Sequence, residues 1–507
     1  MISVDDRGPP PPCPRQMNLA AEVLQAGSRE PGRTALEVLS ADRAESWTYA
    51  RLIAAVRGTG AGLRAMGLGP GDRILMRIGN RVEFPILFLG AIAAGLVPVP
   101  TSAQLTVREI TAMARQVSPA LIVAEEGVAL PDGTTPVLLL GLDRLRSFFD
   151  GPPCDWEMGA PDRLAYLIFT SGSSGTPRAV AHAHRAILAR RMMWQGWYGA
   201  GPTDRLLHAG AFNWTYTLGT GLMDPWAMGA TALIPAGAAP GDLFALLDRA
   251  KATLFAAAPG VFRQMLRDGG RRLPRLRHAL SAGEHLSDGV RAAWRSATGT
   301  EIHPALGMSE VSTFVSGSPA HPAPGGSSGY VQPGRRIAVL DEGGAPVPRG
   351  TPGVLAVDRR DPGLFLGYDG APEETAARFQ GDWFLTGDMV EMGPDGAITY
   401  LGRCDDMMNA GGFRVSPLEV EAALAQHPGI AEVAAIELAV RADVTVIAAV
   451  YVASAPLPEA ELAAFAETRL ARYKQPRVYI HADSLPRGAN NKVLRRALRA
   501  RYAKDAP

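Results

Sequence analysis

A chain of 507 residues exceeds what one hydrophobic core usually supports, so two or more domains are expected. Hydrophobic residues at 47% and charged residues at 20% are ordinary for a globular enzyme. With 51 basic against 50 acidic residues the formal net charge is +1, which excludes an electrostatic footprint for nucleic acid or an anionic membrane surface.

The N-terminal stretch MISVDDRGPPPPCP is acidic and proline-rich, has no apolar signal core and reads as a loose arm. Cys13, Cys154 and Cys404 show no metal or disulfide spacing and suit the reducing cytoplasm. A helical pattern covers 50–66. The apolar run 84–100 is broken by Pro85, Gly95, Pro98 and Pro100, which predicts a buried helix passing through Gly95 into a short strand, not a membrane span. Strand-like runs at 120–126, 163–169, 231–237 and 252–260 alternate with helical patterns at 241–250 and 283–297, the signature of α/β layers. Gly, Pro and Ser crowd 316–353, and turns at Asp341–Gly344 and Gly393–Gly396 mark a β-rich section. After Gly402 a separate pattern follows: helix 417–426, strands 430–437 and 443–453, helix 458–471, strand 477–480. That is a small α+β domain.

The segment YLIFTSGSSGTPRAV (166–180) carries an apolar strand into a Gly/Ser/Thr loop and back into a strand. Such a loop can turn backbone N–H groups and hydroxyls toward phosphate, or it can be a plain flexible hairpin; composition alone leaves both open. The Walker spacing is absent. His182 and His184 form an H-x-H pair, read as structural or substrate-side and not as a metal site.

From 35 to 500 the chain resembles the adenylate-forming superfamily (acyl- and aryl-CoA ligases, peptide-synthetase adenylation domains, luciferases) in six segments in register: the loop just described, SAGEHL (281–286), ALGMSE (305–310), DWFLTGD (382–388), GRCDDMMNAGGFRVSPLEVE (402–421), and RYKQPRVY with LPRGANNKVLRRAL (472–498). The resemblance, to the acyl-CoA ligase branch, implies a large N-terminal α/β domain (1–404) of layered mixed sheets and helices with a distal β-rich subdomain, holding adenylate and acyl group, and a small mobile α+β C-terminal domain (405–507). It implies a bulky aryl or alicyclic acid, ATP (or acyl-AMP), Mg²⁺ and coenzyme A. Thr170, Ser171, Gly172, Ser173, Ser174 and Gly175 would hold the β- and γ-phosphates. Ala282, Gly283 and Glu284 would face adenine from one side, Leu306, Gly307 and Met308 from the other. Ser309 would touch phosphate, and Glu310 would offer carboxylate oxygen to magnesium. Asp388 would accept the ribose hydroxyls, with Arg403 beside it. Lys492 would be the catalytic cation on carboxylate and α-phosphate, Asp405 the hinge, and Gly411 and Gly412 the wall of the CoA tunnel. Phe212, Asn213 and Trp214 would border the acyl group.

The chain departs from the family pattern at Arg178 (usually Lys), Leu306 (usually aromatic), Asn409 (often Lys), Gly488 (usually Thr) and Asn491 (usually Gly). Most of these changes bear on adenylation, so thioesterification of an adenylate made by a separate enzyme is an alternative, as is loading of a separate carrier protein. No carrier domain is attached within the 507 residues. The expected state is monomer or homodimer, without nucleic-acid or membrane partners.

Overall fold

The computed structural model describes residues 1–40, 44–133, 138–171, 177–267, 269–410, 413–441, 444–488 and 493–502. They fall into two compact units. One comprises Asp5–Ile337 with Val357–Phe384, the other Met1–Val4, Ala338–Ala356 and Leu385–Pro507.

The larger unit is built on a nine-stranded sheet. Six parallel strands form its middle, in the order Ile302–Met308, His278–Ser281, Leu254–Ala257, Arg205–His208, Thr231–Pro235 and Thr34–Leu39. These strands are short and nearly wholly apolar because both faces are covered, as parallel sheets require. On one face Leu207, Phe255, Ala279 and Ile302 pack with Phe262 and Trp294. On the other Leu206, Ala256, Leu280 and Ala305 pack with Trp197 and Tyr198. A second, four-stranded parallel sheet holds Val97–Pro100, Arg73–Arg77, Leu121–Ala124 and Leu138–Gly141. The apolar run behaves as its breakers dictate: helix Glu83–Ala93 is buried throughout, Gly95 turns the chain at φ +77°, and strand Val97–Pro100 follows. Among the described residues no helix is long and apolar enough to cross a membrane.

In the smaller unit Asp388–Met392, the end of strand Trp383–Met392, pairs antiparallel with strand Ile398–Arg403. The unit's C-terminal part is a three-stranded sheet: Glu432–Arg441 antiparallel to Val444–Val452, and Val478–His481 parallel to the latter. Alternation sends Ala435, Ile447 and Ala449 against Val420, Leu424 and Ala466 on one face, and Ala434, Ile436, Ala448 and Val450 toward Leu485 and Leu498 on the other. Helices Pro417–Leu424 and Glu459–Glu467 therefore cover one side, and helix Arg495–Tyr502 the other.

The N-terminus corrects the sequence reading. Within the smaller unit Ser3 donates to Val347 O at 2.7 Å and accepts from Val339 N at 2.9 Å. Within the larger unit Arg7 exchanges backbone bonds with Arg335 and Gly334. The first residues are thus pinned, and the exposed coil is confined to the proline stretch that follows. Three-residue strands carry too little pattern to be seen in sequence.

Candidate active site

In the larger unit the Gly/Ser loop sits on an antiparallel hairpin, Leu164–Ser171 with Pro177–Ala183, in which Thr170 pairs with Arg178 and Ser171 with Pro177. Gly172, Ser173, Ser174 and Gly175 lie outside the described residues. Thr170 is half-buried where the strand ends. Arg178 does not point into open space: its Nη1 lies 2.6 Å from Glu374 Oε2 and its guanidinium 5.5 Å from the Tyr368 ring centre.

Tyr368 links that hairpin to the next candidate segment. Its hydroxyl donates to Glu310 Oε1 at 2.8 Å, and Phe365 N donates to Glu310 O at 2.7 Å. Burial, and after it the Glu310 carboxylate, push the phenol's pKa up, so it remains a donor. Among the described residues nothing bonds the second Glu310 oxygen, which suits a carboxylate waiting for a hard cation. Ser309, beside it, accepts from Thr215 Oγ1 at 3.2 Å.

Ser309 and Glu310 project from a tight hairpin between Ile302–Met308 and Ser312–Ser316, whose register shifts at Leu306/Gly307. A Cβ on Gly307 would lie 2.4 Å from Ser312 O, so only glycine lets the backbones come this close. Ser312 takes φ +74°, a conformation that costs a non-glycine residue about 1–3 kcal/mol, and its Oγ accepts from Arg190 Nη1 at 2.5 Å. Arg190 is itself held by a buried ion pair with Asp224 at 2.6 Å. Gly307→Ala should pry this hairpin open and displace Glu310. Adenylate formation is expected to fall about tenfold or more, measured by pyrophosphate exchange, with little loss of fold seen by circular dichroism.

Ala282, Gly283 and Glu284 follow the neighbouring parallel strand His278–Ser281, so the two segments expected to face adenine extend from adjacent strand ends, where open α/β sheets receive ligands. Gly283 adopts φ +96° and a Cβ there would meet nothing within 4 Å, leaving its surface open to a flat ring. Leu306 and Met308 are both half-buried on the adjacent strand Ile302–Met308.

Phe212 is buried against Phe84, ring centres 5.2 Å apart, whereas Asn213 and Trp214 stay partly open. Asn80 braces this loop, donating to Gly210 O at 2.7 Å and accepting from Phe212 N at 3.1 Å. Sequence reasoning missed Tyr216, two residues on, whose hydroxyl donates to Leu280 O at 3.1 Å across the strand ends. A tyrosine between two threonines, close to Phe212 and Trp214, gives no separate signal. His182 stacks on Tyr166 at 4.5 Å and His184 Nδ1 accepts from Leu19 N at 2.9 Å. Burial lowers their pKa values to about 3 and about 4, so both rings are neutral.

In the smaller unit Asp388 and Arg403 are direct cross-strand partners, Arg403 Nη1 donating to Asp388 Oδ1 at 3.0 Å and to Thr386 O at 3.0 Å. Burial alone would lower the Arg403 pKa, but Asp388, then Tyr400 and Asp405, outweigh it and hold the guanidinium charged. Asp405 is exposed on the turn just beyond. Arg499 donates to its carbonyl at 3.3 Å, and Arg403 Nε stands 3.7 Å from its carboxylate. Gly411 and Gly412 lie outside the described residues, between the paired strands Met408–Ala410 and Phe413–Val415. Lys492 also lies outside them. The chain on either side is closed by a bridge between Arg487 and Val493 and a 2.8 Å bond from Leu494 N to Pro486 O.

Most of the chain matches two family models, which leave 370–418 between them. Residues 23–369 match the AMP-binding enzyme model and 419–492 the AMP-binding enzyme C-terminal domain model. The chain belongs to the AMP-binding enzyme family. It is 31% identical to a 3-hydroxybenzoate–CoA ligase of Aromatoleum sp. (strain CIB), over 90% of this chain and 92% of that one. It is 30% identical to a benzoate–CoA ligase of Thauera aromatica, over 98% and 99%. The crystal structure of a benzoate CoA ligase from Burkholderia xenovorans LB400 matches with a TM-score of 0.86 at 27% identity, over 95% of this chain and all of that one.

Proposed function

We propose that this chain is a ligase that joins an aryl carboxylic acid to coenzyme A by way of an acyl-AMP. The observation that carries the reading is likeness along nearly the whole chain to ligases of benzoate and 3-hydroxybenzoate; the Asp388–Arg403 pair and the Tyr368–Glu310 bond support it.

In the first step a carboxylate oxygen of the acid attacks the α-phosphorus of ATP. The bond to the β-phosphate breaks and pyrophosphate leaves. Residues 170–175 hold the β- and γ-phosphates, Ala282–Glu284 and Leu306–Met308 enclose adenine, and Asp388 accepts the ribose hydroxyls while its bond from Arg403 keeps it aimed. Lys492 balances the charge that gathers between carboxylate and α-phosphate. Mg²⁺, held by the open Glu310 oxygen with Ser309 alongside, would screen the phosphates and favour pyrophosphate as leaving group. In the second step the CoA sulfur attacks the acyl carbon, the bond to AMP breaks, and the thiol proton is lost to solvent. Gly411 and Gly412 give the pantetheine arm passage close to backbone, and the 405–507 domain turns at Asp405 between the steps. Asn213 and Trp214 border the aryl ring, with Phe212 anchoring them from the core.

The test is exchange of radiolabelled pyrophosphate into ATP. Exchange is expected to require both an aryl acid and Mg²⁺. Conversion of synthetic aroyl-AMP to thioester, with no exchange from any free acid, would replace this reading by the thioesterification-only one.

A further inference from the structure

The mechanism leaves two buried polar side chains unused, and both sit beside the acyl segment. His208 ends strand Arg205–His208 and is 2% exposed, yet among the described residues neither ring nitrogen has a hydrogen-bond partner. Thr217 is fully buried, and its Oγ1 has none either. Both pack against Gly210. A Cβ built on Gly210 would lie 2.2 Å from Thr217 Oγ1 and 3.1 Å from His208 Nδ1.

Strand register shows which way they look. His208 is level with Ala256, Ala256 with Leu280, and Leu280 with His303, so these four form one row on one face of the sheet. Two residues further along, toward the C-terminal ends, the same face carries Ala282 and Ala305. Ligands enter such sheets at these strand ends. Tyr216 leans over the row, its ring centre 4.3 Å from that of His208 and edge-on to it. His208 and Thr217 thus flank, in the chain, the segment that carries Asn213 and Trp214, the residues proposed to border the acyl group.

Burial, with Arg190 adding to it, holds the His208 pKa down at about 3, so the ring presents one N–H donor and one bare nitrogen acceptor. Thr217 can donate and accept. Buried groups of this kind are nearly always satisfied, and the edge of an unsubstituted aryl ring satisfies neither.

We propose that His208 and Thr217 are specificity-determining residues that receive a hydroxyl or amino substituent on the ring of the aryl acid. This rests on the aryl-acid ligase reading. The experiment compares kcat/KM for CoA-thioester formation from benzoate, the three hydroxybenzoates and the three aminobenzoates, in wild type and in His208→Phe, Thr217→Val and Thr217→Ser. Wild type is expected to prefer at least one substituted acid over benzoate by about tenfold or more, because a site built to bond a polar group rejects the analogue lacking it. That ratio should collapse toward one in His208→Phe and Thr217→Val and persist in Thr217→Ser, which keeps the hydroxyl. A ratio unchanged in Thr217→Val, or a wild type that prefers benzoate to all six, overturns the proposal. Either result is what a buried water satisfying these groups would give. The threonine pair decides the matter even if His208→Phe does not fold. Failure of the underlying reading looks different: wild type makes no thioester from any of the seven acids, and the proposal falls with it.

Discussion

Lys492→Ala is expected to lower adenylate formation by about 10²–10³-fold while thioester formation from supplied acyl-AMP continues near the wild-type rate. The asymmetry follows from where charge gathers. Attack of a carboxylate on the α-phosphorus builds negative charge between two anions, and a preorganised cation is worth most there. Attack of a thiol on an acyl-adenylate makes no such demand on the same group. Helix Arg495–Tyr502 begins three residues on from Lys492 and is anchored by a two-pronged bond from Arg495 to both oxygens of Glu421 and by the fully buried Leu498. Pyrophosphate exchange and CoA-dependent AMP release from synthetic acyl-AMP, measured side by side, report the two halves. An equal fall in both would show that Lys492 serves the fold or a shared binding step.

Asp405→Pro is expected to separate the half-reactions in another way, leaving one active and slowing the other by about tenfold or more, the effect of a conformational bias of roughly 1–2 kcal/mol. Proline fixes φ, removes the backbone donor and restricts Cys404 before it. The turn it would enter is already tied down: Asp406 N and Met407 N both bond Arg403 O, Arg499 reaches the Asp405 carbonyl, and it also bonds the Asp406 carboxylate. A chain that must turn here has to exchange some of these bonds, and proline limits which exchange is open. The same two assays measure it. Equal rates in both, matching wild type, would remove Asp405 from the hinge.

The parts of the fold visible in sequence were those with strong local chemistry. The breakers in 84–100 announced a helix that ends before Gly95 and a strand after it. The small domain's alternation gave helices and strands within a few residues of those found, because each element buries one face and repeats its period. Contacts made over long sequence distances were not legible. Arg190 and Asp224 are 34 residues apart, Arg178 and Glu374 nearly two hundred, and each is an ordinary charge until the fold brings its partner. The π-helical turns at Trp194–Tyr198 and Gly219–Met223 have no signal in a 3.6-residue pattern. At the site, the Gly/Ser loop, Asp388 and Glu310 stood out through their motifs. Tyr368, which orients Glu310, and Tyr216, which crosses the strand ends, did not, since their roles lie in a single hydroxyl placed by tertiary structure.

Arg178 illustrates the same point. In sequence it is a departure from the family's lysine at a phosphate loop, and that reads as weakened ATP binding. In the structure its charge is engaged by Glu374 and it lies over Tyr368, the residue bonded to Glu310. The substitution therefore bears on how the hairpin and the Glu310 turn are held together, and it is compatible with a complete ligase.

The most direct test of that claim is one reaction: wild-type protein, a free aryl acid such as 3-hydroxybenzoate or benzoate, ATP, Mg²⁺ and coenzyme A, with products resolved by mass spectrometry. The ligase reading predicts aroyl-CoA, AMP and pyrophosphate in equal amounts, all dependent on the acid. Absence of aroyl-CoA from every aryl acid tried, with thioester appearing only when the adenylate is supplied ready-made or when a carrier protein replaces CoA, would contradict it.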